Sequence, residues 1–108
     1  EEIPGPSTEV LAAKASETET YVLAELLERV ETRLYNACVL IGPKGTLCAT
    51  YRKTHIPFLG ADRFVDPGEG PLEVVDTEIG RMGMLICYDI FFPELNVTEK
   101  KVFNALKK

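Results

Sequence analysis

Two apolar segments joined by a short turn constrain the fold of this chain more than any other feature of its sequence. The first is Leu34–Ile41, which reads LYNACVLI, and the second is Thr46–Tyr51, which reads TLCATY. The residues between them, Gly42–Gly45, read GPKG and include strong local turn formers. Apolar segments of this length on either side of a glycine-containing turn are typical of a β-hairpin. The centre of the chain is therefore predicted to form two paired antiparallel strands.

The N-terminal part is predicted to add a helix and a strand. Ser7 or Thr8 is expected to cap a short helix that follows the loop Pro4-Gly5-Pro6. Tyr21–Ala24 predicts a buried strand. Leu26–Val30 either extends this strand or forms a helix, because periodicity alone does not decide between them.

A long loop and two further strands are predicted in the C-terminal half. Arg52–Gly70 contains prolines and glycines without a sustained period, and loops of this length are usually functional or disordered. Leu72–Asp76 predicts a short strand. Met82–Cys87 is the most apolar run of the chain and predicts a strand covered on both faces. Leu95–Lys108 predicts a short amphipathic helix.

Size and charge exclude several classes of function. With 108 residues the chain provides one small domain. Its 12 Lys and Arg against 17 Asp and Glu give a net charge of −5, which disfavours binding to nucleic acid or to an anionic membrane surface. No apolar stretch is long enough to form a transmembrane helix.

The cysteines indicate a reducing environment. There are 3 of them, Cys38, Cys48 and Cys87, without CxxC or CxxH spacing. This pattern favours neither a disulfide framework nor a zinc site. The N-terminus lacks the basic and apolar regions of a signal peptide. A cytoplasmic location is therefore expected.

Cys87 is the first candidate for chemistry. It closes the predicted apolar strand and precedes a turn that leads to Pro93-Glu94. A thiol in this position can act as a nucleophile, and the backbone N–H groups that follow can face a developing oxyanion. The alternative is a buried cysteine that packs as a small apolar side chain.

Three more residues are candidates beside it. A lysine near a thiol lowers the pKa of the thiol and can stabilise an oxyanion, although a loop lysine such as Lys53 is more often solvated. His55 could partner Cys87 as in a Cys–His hydrolase, or have a structural role. Glu94 is most simply explained as an acidic residue in the first turn of a helix.

Several motifs resemble those of the nitrilase family of carbon–nitrogen hydrolases and occur in the order found there. The longest are Tyr51–Pro57, which reads YRKTHIP, and Gly80–Asp89, which reads GRMGMLICYD and is followed by Phe92-Pro93-Glu94. The supporting motifs are Ile3–Pro6, Leu34–Ala37, Gly42–Gly45 and Asp66–Gly68. The resemblance covers Ile3 to Glu94.

The resemblance implies an α/β fold, the nitrilase-like α-β-β-α sandwich. This chain is expected to form part of it, with about five or six strands and one to three helices. Part of a sandwich would leave an apolar sheet face uncovered, so a homo-oligomer is expected.

The resemblance also implies the roles of individual residues. Cys87 would be the nucleophile, Lys53 would stabilise the tetrahedral intermediate, and the backbone N–H of Tyr88 would complete the oxyanion site. Further candidates for the pocket are His55, Phe91 and Glu94. The implied reaction is hydrolysis of a small amide or nitrile through a thioester or thioimidate, with neither a metal nor a cofactor.

The sequence departs from the family pattern in its carboxylates. The general-base glutamate of the family lies in a Pro-Glu motif upstream of the stretch that Ile3–Pro6 matches. Glu1 and Glu2 are too close to Pro4 to be that residue, so little turnover is expected from this chain alone. After the lysine, neither Asp62 nor Glu69 aligns with the second active-site glutamate of the family.

These observations leave more than one interpretation. Residues 1–94 are interpreted as part of a carbon–nitrogen hydrolase domain and residues 95–108 as a helical tail. The alternative is a non-catalytic fragment or pseudoenzyme that acts as a binding or assembly module. A thiol hydrolase of another family, built on Cys87 and His55, accounts for fewer residues.

Overall fold

The computed structural model describes residues 1–69 and 73–91 of the chain, with side chains up to residue 89. These residues form one α-helix, five strands in two sheets and two short 3₁₀ helices. The elements are α1 (Pro6–Thr18), β1 (Val22–Val30), β2 (Arg33–Ile41), β3 (Leu47–Arg52), β4 (Val74–Thr77), β5 (Gly80–Gly83) and the 3₁₀ helices Gly60–Phe64 and Cys87–Phe91. The α/β class and the expected numbers of strands and helices are confirmed.

The larger sheet is an antiparallel meander in the order β1-β2-β3. The predicted central hairpin is confirmed as β2 and β3, and its second strand lies within a residue of the expected bounds. β1 pairs with β2 along its whole length, from Val22 opposite Ile41 to Val30 opposite Arg33. The segment Leu26–Val30 is therefore strand, because its pairing with β2 decides what its own periodicity left open.

One face of this sheet, called here the helix face, packs against α1. Ala15 of the helix and Val39 and Ile41 of β2 are buried together, and these three residues form the core cluster. The partly buried residues packed around them are Ile3, Leu11, Ala12, Val22, Ala24 and Leu26. Alternation along each strand directs these side chains to the same face of the sheet.

The other face, called here the site face, presents the remaining side chains of the same strands. Asn36, Cys38 and Leu40 of β2 alternate with the helix-face residues and are all buried. Tyr51 of β3 lies directly opposite Cys38 in the register, so it belongs to this face. The helix face holds the apolar core, and the site face holds polar groups next to the end of β3.

The helix begins earlier than expected from Ser7 or Thr8. Its N-cap is Gly5, with Pro6 in the first turn. The Thr8 hydroxyl accepts a hydrogen bond from the Gly5 N–H at 2.7 Å, so this threonine caps from inside the helix. The Glu1 carboxylate accepts hydrogen bonds from the hydroxyl and the N–H of Ser7, which lower the pKa of Glu1. Proline is favoured here because its missing N–H is one that the first turn leaves unpaired.

The expectation of a strand over Met82–Cys87, covered on both faces, is wrong. β4 and β5 form a two-stranded hairpin, and β5 ends at Gly83, which pairs with Val74 at the beginning of β4. Among the described strands no partner extends beyond this pair, so the backbone after Gly83 leaves the extended ladder. Ile86 is buried, whereas Leu85 is exposed. Apolar character in this segment therefore reflects one buried side chain and not a central strand.

Two regions of the prediction concern residues that the structure leaves undescribed. Leu72, the first residue of the fourth predicted strand, lies in the gap between the described ranges, and that strand begins at Val74. The predicted tail Leu95–Lys108 lies outside the described residues. In the part of the chain that is described, no helix has the length and apolarity required to cross a membrane.

Candidate active site

Lys53 follows the last residue of β3, and its backbone is held on both sides. Its N–H donates to the Asn36 carbonyl of β2 at 2.8 Å, and its own carbonyl accepts from the Gly68 N–H at 2.8 Å. The first bond extends the β2–β3 ladder by one residue. The second fastens the far end of the long loop to the same point. These two backbone hydrogen bonds therefore fix the position of the Lys53 Cα, from which the side chain extends.

The ammonium group of Lys53 is buried in an ion pair. The residue is 3% exposed, and its Nζ lies 2.6 Å from Oδ2 of Asp62. The other oxygen of Asp62, Oδ1, accepts from the Asn36 side-chain amide at 2.9 Å. Burial raises the pKa of Asp62, but the hydrogen bonds from Lys53 and Asn36 outweigh burial and hold this pKa below its ordinary value. The alternative of a solvated loop lysine is therefore wrong.

Asn36 connects β2 to both members of the ion pair. Its carbonyl binds the backbone of Lys53, and its side-chain amide binds Asp62. Its own side-chain oxygen Oδ1 is buried and has no hydrogen-bond partner among the described residues. Buried polar atoms without partners are uncommon, and stored strain and a catalytic role are among their explanations. A single residue of the central strand, Asn36, thus holds both members of the ion pair on the site face.

Cys87 lies at the first residue of the 3₁₀ helix Cys87–Phe91, four residues beyond the end of β5. Its side chain is exposed, and its backbone φ is +43°, in the left-handed region. A non-glycine residue in this region costs about 1 to 2 kcal/mol and is held there only by its surroundings. Such residues are enriched at active sites. The thiol is therefore presented on a strained turn, and the alternative of a cysteine packed in the core is wrong.

The turn that carries Cys87 is connected to the end of β3 through Asp89. The Asp89 carboxylate is fully buried and accepts hydrogen bonds from four groups. These donors are the Tyr51 hydroxyl at 2.6 Å, the Thr54 hydroxyl at 3.2 Å, the His55 N–H at 2.9 Å and the Ile86 N–H at 3.1 Å. Burial and the hydrogen bond to Asp89 raise the pKa of Tyr51, so this phenol remains protonated as a donor.

His55 faces the same carboxylate with its ring as well as with its backbone. Nδ1 of His55 lies 3.2 Å from Oδ1 of Asp89 and 3.0 Å from the Thr54 hydroxyl. The histidine is therefore part of the Asp89 network. The hypothesis of a Cys–His hydrolase, which requires a contact between His55 and Cys87, stays a prediction.

The structure brings most of the predicted residues into one region and leaves two undescribed. Lys53 and His55 lie in the segment that Asp89 joins to the turn of Cys87 and Tyr88. Phe91 ends this turn, but its side chain and all of Glu94 lie outside the described residues. Among the residues described, no group of three or more His, Cys, Asp or Glu side chains is placed to hold a metal ion.

Two carboxylates of the site were not predicted to belong to it. Asp62 was considered after the lysine and did not align with the second glutamate of the family, yet it binds Lys53 directly. Asp89 is the last residue of the motif Gly80–Asp89, and the motif alone assigns it no role. The signal for Asp89 was its position within an apolar stretch, because a buried carboxylate needs several donors and implies a network around it.

Comparison with known proteins places these features in a family. Residues 1–101 match the family model described as carbon-nitrogen hydrolase. Over 104 residues the chain is 39% identical to omega-amidase NIT2-A of Xenopus laevis, covering 88% of this chain and 37% of the relative. Over 90 residues it is 37% identical to a nitrilase of Pyrococcus abyssi, covering 83% of this chain and 34% of the relative.

Solved structures share the fold. The crystal structure of a carbon-nitrogen hydrolase from Helicobacter pylori superposes with a TM-score of 0.75 at 28% identity, covering 82% of this chain and 31% of that one. A mutant amidase from Nesterenkonia sp. AN1 superposes at 0.74 and 22% identity, covering 85% of this chain and 35% of that one. Its structure shows the acetamide moiety of fluoroacetamide added covalently at the active-site cysteine. The chain thus spans about a third of the length of the relatives that it matches.

Proposed function

Because the chain belongs to the carbon-nitrogen hydrolase family, we propose that Cys87 is the nucleophile of a reaction that cleaves the C–N bond of a small carboxamide. The observation that carries this proposal is the connection of two segments of the site face. Asp89 ties the exposed Cys87 turn to the segment Tyr51–His55, which contains the buried Lys53. This arrangement combines an accessible thiol with a fixed positive charge.

The first half of the reaction is acylation of Cys87. The thiolate attacks the carbonyl carbon, a C–S bond forms, and the carbonyl π-electrons move to oxygen as an oxyanion. Lys53 and the Tyr88 N–H stabilise this charge, in a region where preorganised donors are worth more than in water. The oxyanion then collapses, the C–N bond breaks, and ammonia leaves with a proton supplied by a general acid. The product is a thioester on Cys87.

The second half is hydrolysis of the thioester. A water molecule gives a proton to a general base and adds to the carbonyl carbon, after which the C–S bond breaks and the carboxylic acid leaves. We assign the acid role and the base role to one carboxylate, the glutamate that the resemblance implies upstream of the stretch matched by Ile3–Pro6. Asp62 is a poor candidate for this role, because its ion pair with Lys53 keeps its pKa low and its proton affinity weak.

An amide is the proposed substrate class. An omega-amidase is among the relatives with the longest matched segments, and the Nesterenkonia amidase takes up the acetamide moiety of fluoroacetamide at its cysteine. A nitrilase is also among the relatives, so a nitrile is the second class to test. In either case the proposed intermediate is covalent, as a thioester or as a thioimidate.

The test measures acylation and turnover separately. The chain is exposed to an activated acyl ester and examined by intact-mass spectrometry, while ammonia release from small amides is followed in parallel. We expect one acyl group on Cys87 and no sustained ammonia release, because one general acid–base group contributes about 10²–10⁴-fold to the rate.

Two variants act as matched controls. Lys53→Met should abolish the adduct, because it removes the charge and keeps most of the buried volume, whereas Lys14→Met removes an exposed lysine and should leave the adduct unchanged. An adduct on Cys48 instead would overturn the assignment. A chain that takes up no acyl group would act as the non-catalytic binding or assembly module, and sustained ammonia release would mean that a carboxylate of this chain acts as the base.

A further inference from the structure

Asp89 is the most completely buried ionisable group in the described part of the chain, with 0% of its surface exposed. Burying a carboxylate is costly unless hydrogen bonds compensate for the lost water. Both oxygens are compensated here. Oδ1 accepts from the Thr54 hydroxyl and the His55 N–H, and Oδ2 accepts from the Tyr51 hydroxyl and the Ile86 N–H. Holding four donors in place around one buried carboxylate constrains much of a small domain, so this network is expected to have a role.

The donors come from two segments that are distant in the sequence. Tyr51, Thr54 and His55 lie 34 to 38 residues before Asp89, whereas Ile86 directly precedes Cys87. In the described structure β3 and β5 belong to different sheets, so no backbone ladder joins the two segments. The hydrogen bonds to the Asp89 carboxylate therefore connect two segments that no β-ladder connects.

Asp89 also brackets the cysteine turn. Its side chain accepts from the Ile86 N–H at 3.1 Å, and its own N–H donates to the Ile86 carbonyl at 3.1 Å. Cys87 and Tyr88 are the two residues between these anchors. The backbone of Cys87 has a left-handed φ that only its surroundings can maintain, and the two hydrogen bonds close the turn around it.

We infer that Asp89 is a positioning residue, which holds the Cys87 thiol and the Tyr88 N–H in register with the Lys53 charge. This inference rests on the proposed function, since it assigns the geometry of the same reaction. Asp89 accepts no proton in it and does not contact the substrate. Its effect is exerted through the placement of the turn relative to the end of β3.

The test is the substitution Asp89→Asn, which keeps the size of the side chain and turns one acceptor oxygen into a donor. Two of the four donors then face an NH₂ group, and the turn loses its fixed position. We expect acylation of Cys87 by an activated ester to slow by roughly 10- to 100-fold, because a displacement of about 1 Å has effects of this size. Alkylation by iodoacetamide should slow by less than about threefold, because it requires a thiolate and no oxyanion site.

A variant in which acylation slows much more than alkylation has lost the positioning of the site, whereas general damage to the fold would slow both reactions. The matched control is Asp76→Asn, which neutralises an exposed carboxylate of β4 and should leave both rates unchanged. Equal slowing of acylation and alkylation, or no change in either, would overturn the inference. If Asp89→Asn does not fold, Thr54→Val removes a single donor at similar volume and should show a smaller split in the same direction.

Failure of the proposed function gives a different result. In that case the wild-type chain takes up no acyl group, and amide hydrogen exchange decides the inference. His55 and Ile86 donate their N–H groups to different oxygens of the carboxylate, so Asp89→Asn should accelerate exchange at whichever of the two sites then faces the NH₂ group. Unchanged exchange at both sites would mean that Asp89 does not join the two segments.

Discussion

At the scale of single residues, the three cysteines differ in environment and should differ in reactivity. Cys38 is buried in β2, where burial and then the nearby Glu25 raise the pKa of its thiol. Cys48 is exposed on β3, and Cys87 is exposed on the strained turn. We expect limiting iodoacetamide to label Cys87 first and Cys38 last, because the turn exposes the Cys87 thiol, the Cys48 thiol donates to the Thr46 carbonyl at 3.5 Å, and burial raises the pKa of Cys38.

Peptide mapping after partial labelling measures this order. Labelling in the presence of denaturant is the control, since all three thiols should then react at similar rates. Preferential labelling of Cys48 in the folded chain would contradict this order.

The Lys53–Asp62 ion pair should contribute strongly to stability, but only while both partners are charged. Asp62→Asn leaves a buried ammonium group without its counterion, and breaking a buried pair in this way costs about 3 to 5 kcal/mol. Glu17→Gln removes the carboxylate of the exposed Lys14–Glu17 pair, and this should cost less than about 1 kcal/mol. Urea unfolding at neutral pH measures both differences.

The pH dependence of this difference has a definite sign. The pKa of Asp62 is lower in the folded chain than its ordinary value of 3.8, so its stabilisation is complete above that pH. It is lost as the pH falls through the folded pKa and Asp62 becomes protonated. The stability gap between wild type and Asp62→Asn should therefore close at the acidic end. A gap that persists at the lowest pH would mean that the amide disturbs packing rather than charge.

At the scale of elements, the long loop depends on a glycine at its far end. A Cβ on Gly68 would lie 2.4 Å from the Arg52 carbonyl oxygen and 2.6 Å from the Arg52 Cβ, both of them poorly movable atoms. Gly68→Ala should therefore push the loop away from β3 and break its hydrogen bond to the Lys53 carbonyl. We expect a loss of about 1 to 3 kcal/mol in the free energy of unfolding, together with slower acylation of Cys87.

Gly60→Ala provides the comparison for this prediction. Gly60 has a left-handed φ of +56°, but a Cβ there meets open space. This variant should lose about 1 kcal/mol from backbone strain and should acylate at the wild-type rate. Equal acylation rates for the two variants would show that the loop position set by Gly68 does not affect the reactivity of Cys87.

The elements that are predicted correctly are those that a short sequence pattern determines. The hairpin of β2 and β3 follows from two apolar runs and a Gly/Pro turn. Met82–Cys87 was misassigned because apolar character does not reveal whether a pairing partner exists. The cap of α1 was displaced because contacts of Glu1 and Thr8 stabilise an earlier start.

The sequence predicts those residues of the candidate site that belong to short motifs. The motifs predict Cys87 and Lys53 as site residues, and the structure brings the segments that contain them together. Asp62 and Asp89 act through hydrogen bonds that span the long loop and the two sheets, and no short-range pattern encodes those distances. Three-dimensional folding brings these carboxylates into the site, so sequence spacing alone could not assign them.

At the scale of the whole molecule, the site face leaves apolar surface open at its β1 edge. Leu23 is 57% and Leu27 is 45% exposed, and both share a face with the buried Leu40 and Asn36 that they pair with. Exposed apolar surface of this kind favours association. We expect the sedimentation coefficient to rise with concentration, and Leu23→Glu combined with Leu27→Glu to shift the chain towards monomer.

A variant of the helix is the control for this experiment. Val10 is 70% exposed on α1, away from the site face, so Val10→Glu should leave the association unchanged. A monomer that unfolds cooperatively at micromolar concentration in the wild-type chain would contradict the prediction. Equal effects of the strand and helix variants would indicate nonspecific aggregation.

The left-handed backbone of Cys87 has a consequence for how this chain can evolve. Glycine adopts this conformation without penalty, and the exposed thiol contributes little packing, so Cys87→Gly should be more stable than Cys87→Ala by about 0.5 to 1 kcal/mol. Thermal unfolding of the two variants measures the difference, and an alanine variant of equal stability would contradict it. The residue that the backbone prefers and the residue that the proposed reaction needs are thus different at this position. In a descendant that no longer uses the proposed reaction, relaxed selection would therefore favour glycine or asparagine over alanine at this position.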